Sequence, residues 1–101
     1  MFVVRMYFTV TPGKYDEAAK LMKQVQAMNQ RLGLKPGRVL TGHFVSPGSP
    51  NWHWEAEFES LAAIEEAFNK IDDDPEMAKL GPATVDVWNQ NGIEVYHVVE
   101  L

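Results

Sequence analysis

Apolar and polar residues alternate from the start of the chain, with Phe2, Val4, Met6, Phe8 and Val10 set against Val3, Arg5, Tyr7 and Thr9. A period of two, rich in β-branched and aromatic residues, predicts a half-buried strand. Thr11-Pro12-Gly13 follows. Thr11 is placed to cap a helix, and Pro12 to occupy its first position, where the missing N–H is not needed. The spacing then changes to Tyr15, Ala18, Leu21/Met22, Val25, Met28 and Leu32, the stripe of an amphipathic helix that Gly33 ends.

Lys35-Pro36-Gly37 reads as a turn, residues 38–45 as a second strand, Ser46-Pro47-Gly48-Ser49-Pro50 as a loop, and residues 51–59 as a third strand. So short a loop predicts an antiparallel hairpin, and the expected register sets Phe44 opposite Trp52, Gly42 opposite Trp54 and Leu40 opposite Ala56. One face is then apolar, while the other carries Thr41, His43, His53, Glu55 and Glu57. Ser60 caps a second helix whose stripe is Leu61, Ile64, Ala67/Phe68 and Ile71, ended by Asp72-Asp73-Asp74. Asp74-Pro75 opens a short extra helical turn stopped at Gly81-Pro82. Residues 83–92 read as loop with one anchoring aromatic, Trp88, and residues 93–101 as a fourth strand.

The β-α-β-β-α-β order predicts an α+β, ferredoxin-like fold: a four-stranded antiparallel sheet with both helices on one face, in a single domain spanning residues 1–101. The face away from the helices presents Val3, Arg5, Tyr7, Thr9, Thr41, His43, His53, Glu55, Glu57 and Tyr96, a mixture that favours coverage by another sheet. Face-to-face dimerisation would enclose a polar-lined cavity. The strand ending in Glu57-Phe58-Glu59-Ser60-Leu61-Ala62-Ala63, together with the Thr11-Pro12-Gly13-Lys14 entry to the first helix, resembles the dimeric α/β-barrel superfamily. Its members include antibiotic-biosynthesis monooxygenase-like and NIPSNAP-like proteins. The resemblance implies a homodimer with a small-molecule site. The activities it implies range from cofactor-free oxygenases and cyclases to modules without established activity, and fold does not choose among them.

The candidate chemistry centres on His43 and His53, expected side by side on the polar face with Glu55 near. Either imidazole, with a reference pKa of about 6.5, suits a general base for a phenolic or enolic substrate. Tyr7, Arg5 or Tyr96 would then orient the substrate and polarise its developing oxyanion. On this reading the protein is a cofactor-free monooxygenase or cyclase acting on an aromatic or polyketide-type substrate. Its first competitor is a non-catalytic NIPSNAP-like binding or interaction module, in which the polar face fixes dimer register. A third reading, a metal-dependent oxygenase, takes His43, His53 and Glu55 as ligands. The superfamily's haem-degrading members carry their ligating histidine on the second helix, and residues 61–71 contain none. His97 falls on the apolar face of the last strand as a core or rim histidine. Asp72-Asp73-Asp74 with Glu76 lacks the spacing and central glycine of a calcium loop and reads as a helix junction capped by Asp74.

Composition narrows the field. Nine Lys/Arg against fourteen Asp/Glu leave a net charge of −5, with the cations scattered singly, which argues against nucleic acids and anionic membranes as partners. The absence of cysteine removes disulfides, thiolate metal sites and cysteine nucleophiles. No glycine-rich phosphate motif and no nucleophile elbow occurs, which argues against nucleotide cofactors and serine hydrolysis. No cofactor is expected, and the metal reading is the weaker one because a metal site needs three or four converging ligands. With no signal-like start and no apolar run of membrane-spanning length, the expected location is the cytoplasm.

Overall fold

The computed structural model describes residues 1–101 as β1 (Phe2–Val10), α1 (Tyr15–Arg31), β2 (Arg38–Thr41), β3 (Trp52–Phe58), α2 (Leu61–Asp72), α3 (Pro75–Ala83) and β4 (Trp88–His97). The strands form one antiparallel sheet in the order β2-β3-β1-β4, the ferredoxin-like arrangement. Its Cα envelope measures 37 × 37 × 17 Å, a slab of two layers that leaves one sheet face without a cover.

The alternation in β1 and β3 sorts side chains as expected. Val4, Phe8 and Val10 of β1 and Trp54 and Ala56 of β3 meet Ala18 and Met22 of α1 and Ile64 of α2 in the core. Trp88 belongs to that core too. It opens β4 opposite Val10, with its ring 5.3 Å from Phe8, so the segment read as loop is already strand. The ladder between β1 and β4 slips between Tyr7 and Phe8. That slip makes Asn91 the extra residue of a bulge, held by a 2.7 Å hydrogen bond from the Thr9 hydroxyl to the Asn91 side-chain oxygen.

Three further expectations are corrected. Thr11 does not cap α1: Gly13 takes a left-handed φ of +83°, which keeps Pro12 outside the helix, and Lys14 stands at the N-cap. β2 stops at Thr41, and its register sets Val39 opposite Trp54 and Leu40 opposite His53. This parity is the reverse of the expected one. Its cause is the preceding turn, where the Trp54 indole donates to the Pro36 carbonyl at 3.0 Å and lies against Gly37, fixing Val39 over the indole side of the sheet. β4 ends at His97, whose ring lies 4.9 Å from Phe2.

Helix ends follow the sequence more closely, except that α3 runs through Gly81-Pro82 to Ala83 and is capped at Thr84 instead of stopping there. Ser60 accepts from the Ala63 N–H and Asp74 from the Glu76 N–H. At Gly33 the bonds from Leu34 N to Asn29 O and from Gly33 N to Gln30 O form a Schellman stop. Arg31 and Asp74 then tie the end of α1 to the start of α3 through two hydrogen bonds of 3.2 and 2.7 Å. Where β3 begins, the Asn51 side chain accepts from Val10 N, donates to Val10 O and donates to the Tyr15 hydroxyl. It completes the end of β1.

Candidate functional site

The face away from the helices collects Arg5 and Tyr7 from β1, His53, Glu55 and Glu57 from β3, Arg38 and Leu40 from β2, and Glu94 and Tyr96 from β4. Because β2 has the opposite parity from the expected one, Arg38 stands here directly opposite Glu55 and Thr41 does not share the face.

Glu55 is the centre of the arrangement. Arg5 reaches its Oε1 with Nε and Nη2 at 3.1 and 2.8 Å, and Arg38 reaches its Oε2 with the same pair of nitrogens at 3.2 and 2.7 Å. Each guanidinium thus chelates one oxygen with two charge-assisted hydrogen bonds, and together the two arginines saturate the carboxylate. Glu55 is only 8% exposed although no protein layer lies above it; the arginines cover it. Arg38 first, and Arg5 with it, hold the Glu55 carboxyl below the usual carboxylate range, against burial working the other way.

Beside this triad runs a row of rings. Tyr7 meets His53 edge-on, centroids 4.7 Å apart, and its hydroxyl lies 3.1 Å from that of Tyr96. Tyr96 donates in turn to Glu94, and Arg5 sits 5.5 Å from the centre of the Tyr96 ring. Glu94, and then Tyr7, hold the Tyr96 phenol above its ordinary pKa, so it stays protonated and serves as a donor. The row can bind a polar or phenolic group. As a lone sheet face it does not exclude water.

Of the candidate residues, His53, Tyr7 and Arg5 come together, and His43 does not join them through the sheet. It lies beyond the end of β2, where the chain bends at His43-Phe44, with its ring 4.7 Å from Phe44. Phe44, expected opposite Trp52, is 93% exposed in the same loop. The metal set of the third reading, His43, His53 and Glu55, is not assembled: both Glu55 oxygens are occupied by arginines, and nowhere do three or more His, Asp or Glu side chains converge as ligands. Arg5 is committed to Glu55, so it positions the face more than it offers a free charge. Arg38 was missed, and the available signal was its place at the start of a strand facing an acidic one. No helix is long and apolar enough to cross a membrane.

No protein-family model matches the chain, and no curated protein matches it significantly. Solved structures do. Two crystal structures of a NIPSNAP-family protein of unknown function from Agrobacterium tumefaciens superpose with TM-scores of 0.62 and 0.58 at 21% and 19% identity, covering 95% and 94% of this chain and 89% and 82% of theirs. A protein from Arabidopsis thaliana superposes with a TM-score of 0.62 at 14% identity, covering 99% of this chain and 96% of its own. One from Pseudomonas aeruginosa gives 0.59 at 10%, covering 99% and 93%. At such identities the likeness is one of fold, and the fold that this chain shares is NIPSNAP-like.

Proposed function

We propose that this chain is a non-catalytic NIPSNAP-like binding and interaction module that pairs face to face with a second copy, its open sheet face forming the contact of a dimeric α/β barrel. The Arg5–Glu55–Arg38 triad carries this reading. An ion network at the middle of a sheet face adds little stability for its desolvation cost, but it fixes the register of a partner surface. The face around it is amphipathic, with Val3, Leu40, Tyr7 and Tyr96 among two arginines and three glutamates. Only 15 of 101 residues are buried in the lone chain, so much apolar surface awaits cover. The sheet edges support a two-fold pairing, since β2 brings Arg38 while β4 brings Glu94 and neither lysine nor arginine. Light scattering after gel filtration tests the proposal. A homodimer is expected, converted to monomer by Val3→Glu, which sets a new carboxylate beside Glu57. A monomeric parent at about 100 μM, a concentration at which a standard interface stays assembled, would sink it.

A second reading rests on the row of rings. In a cofactor-free monooxygenase or cyclase, His53 would take a proton from an aromatic or polyketide-type substrate, Tyr7 and Tyr96 would hold the resulting oxyanion, and Arg5 would position them; His43 would enter only from its loop beyond β2 or from the partner copy. The Tyr7–His53 contact favours it. Oxygen uptake with a panel of phenols tests it: activity lost in His53→Ala and kept in Glu57→Gln supports catalysis, and uptake unchanged by His53→Ala removes it.

A further inference from the structure

At the end of the sheet where β3 outruns β2, an open depression of about 370 Å³ is walled by Lys35, Pro36, Arg38, Glu55 and Glu57. That volume falls in the range of small-ligand sites, although the lining here is far more polar than usual. The charges on its walls are unequally satisfied. Glu55 is neutralised by its two arginines. Lys35 and Glu57 are opposite in sign and line the same depression, yet they pair neither with each other nor with any other residue. Arg38 uses Nε and Nη2 on Glu55 and keeps Nη1 without a hydrogen bond.

The wall that carries Lys35 is fixed in place. The Pro36 carbonyl accepts from Trp54 Nε1 at 3.0 Å, and the Gly37 carbonyl accepts from Gln26 Nε2 at 3.1 Å. Gly37, at a φ of +74°, lies so close above the indole that no side chain fits there. A held wall spares a ligand the cost of ordering it. We infer that this depression is a binding site for a small zwitterion of the α-amino-acid class, its carboxylate on Lys35 and the free edge of Arg38, its ammonium on Glu57. A plain carboxylate leaves Glu57 without a partner, and a plain amine leaves Lys35 without one. The groups all belong to one chain, but Arg38, Glu55 and Glu57 share the open face, so glycine is expected to compete with the pairing of that face.

An NMR titration of the full chain near pH 7 and at low salt, with glycine, acetate and methylammonium as separate probes, tests it. Glycine is expected to shift the amides of residues 35–38 and 55–57 saturably, with either singly charged probe about fivefold weaker, the scale of one exposed ion pair. Lys35→Met and Glu57→Gln should each weaken glycine by a similar factor, and Glu57→Gln should narrow the gap between glycine and acetate. Both side chains are exposed, so unchanged signals elsewhere verify that the variants fold. No saturable shift with glycine, an equal response to acetate, or glycine binding that survives both substitutions overturns the assignment.

Discussion

Trp54 and Glu55 are neighbours on β3, both almost fully buried, and they reach that state by opposite routes. Trp54 points to the helix side, where the turn at Pro36-Gly37 and the apolar core cover it. Glu55 points to the open side, where two guanidiniums cover it and nothing lies beyond them. The first kind of burial removes apolar surface from water and stabilises the fold directly. The second exchanges hydration for ion pairing and comes out near balance. One face of the sheet is thus finished by its own chain. The other is organised by ion pairs yet left uncovered.

Substitution can break that contrast most strongly at the tryptophan. Trp54→Ala is expected to cost about 3–5 kcal/mol of unfolding free energy, read from the urea midpoint, because it opens a cavity and strands the Pro36 carbonyl. Gly37→Ala should cost about 2–3 kcal/mol, since a Cβ there would collide with the indole and the residue would keep a left-handed backbone. On the open side, Glu55→Gln should cost only about 1–2 kcal/mol, Arg5 being half-buried and Arg38 largely exposed. A loss there as large as that of Trp54→Ala would erase the distinction between the faces.

The same residue sharpens the comparison through pH. The Glu55 carboxyl is held below its ordinary value in the folded chain, so the folded state binds fewer protons than the unfolded one. Its contribution is therefore complete above the unfolded value of about 4.3 and is lost as pH falls through the folded one. The stability gap between parent and Glu55→Gln should be constant near pH 7 and shrink below about pH 4, whereas the gap for Trp54→Ala should persist. Smallest is Ser60→Ala, which removes the side-chain cap of α2 and should cost about 1 kcal/mol in thermal unfolding.

The long alternations were legible. The parities of β1 and β3, which place Arg5, Tyr7, His53, Glu55 and Glu57 on one face, follow from a strict period of two. β2 was not, because Val39 and Leu40 are consecutive apolar residues and either can face the core. A contact distant in sequence, Trp54 with Pro36 and Gly37, decides between them, and with that decision went Arg38. The start of β4 was hidden for another reason. Asn91 is an extra residue in the ladder, so the alternation between Trp88 and Ile93 is broken where the strand itself is continuous. The row of rings was half visible: Tyr7 and Tyr96 were on the face, but their hydroxyl contact depends on a register that no local pattern specifies.

Asn51 has a consequence for how this protein can change. Its amide copies the hydrogen bonds of one more strand residue for Val10 and holds Tyr15 as well, so the ladder is closed at the residue where the chain returns from the stretch at residues 42–50, exposed from 42 to 48. Whatever is written into that stretch is mechanically insulated from the ladder. An exposed stretch closed off in this way is the place to insert residues or graft a foreign peptide while the rest of the molecule stays as it is.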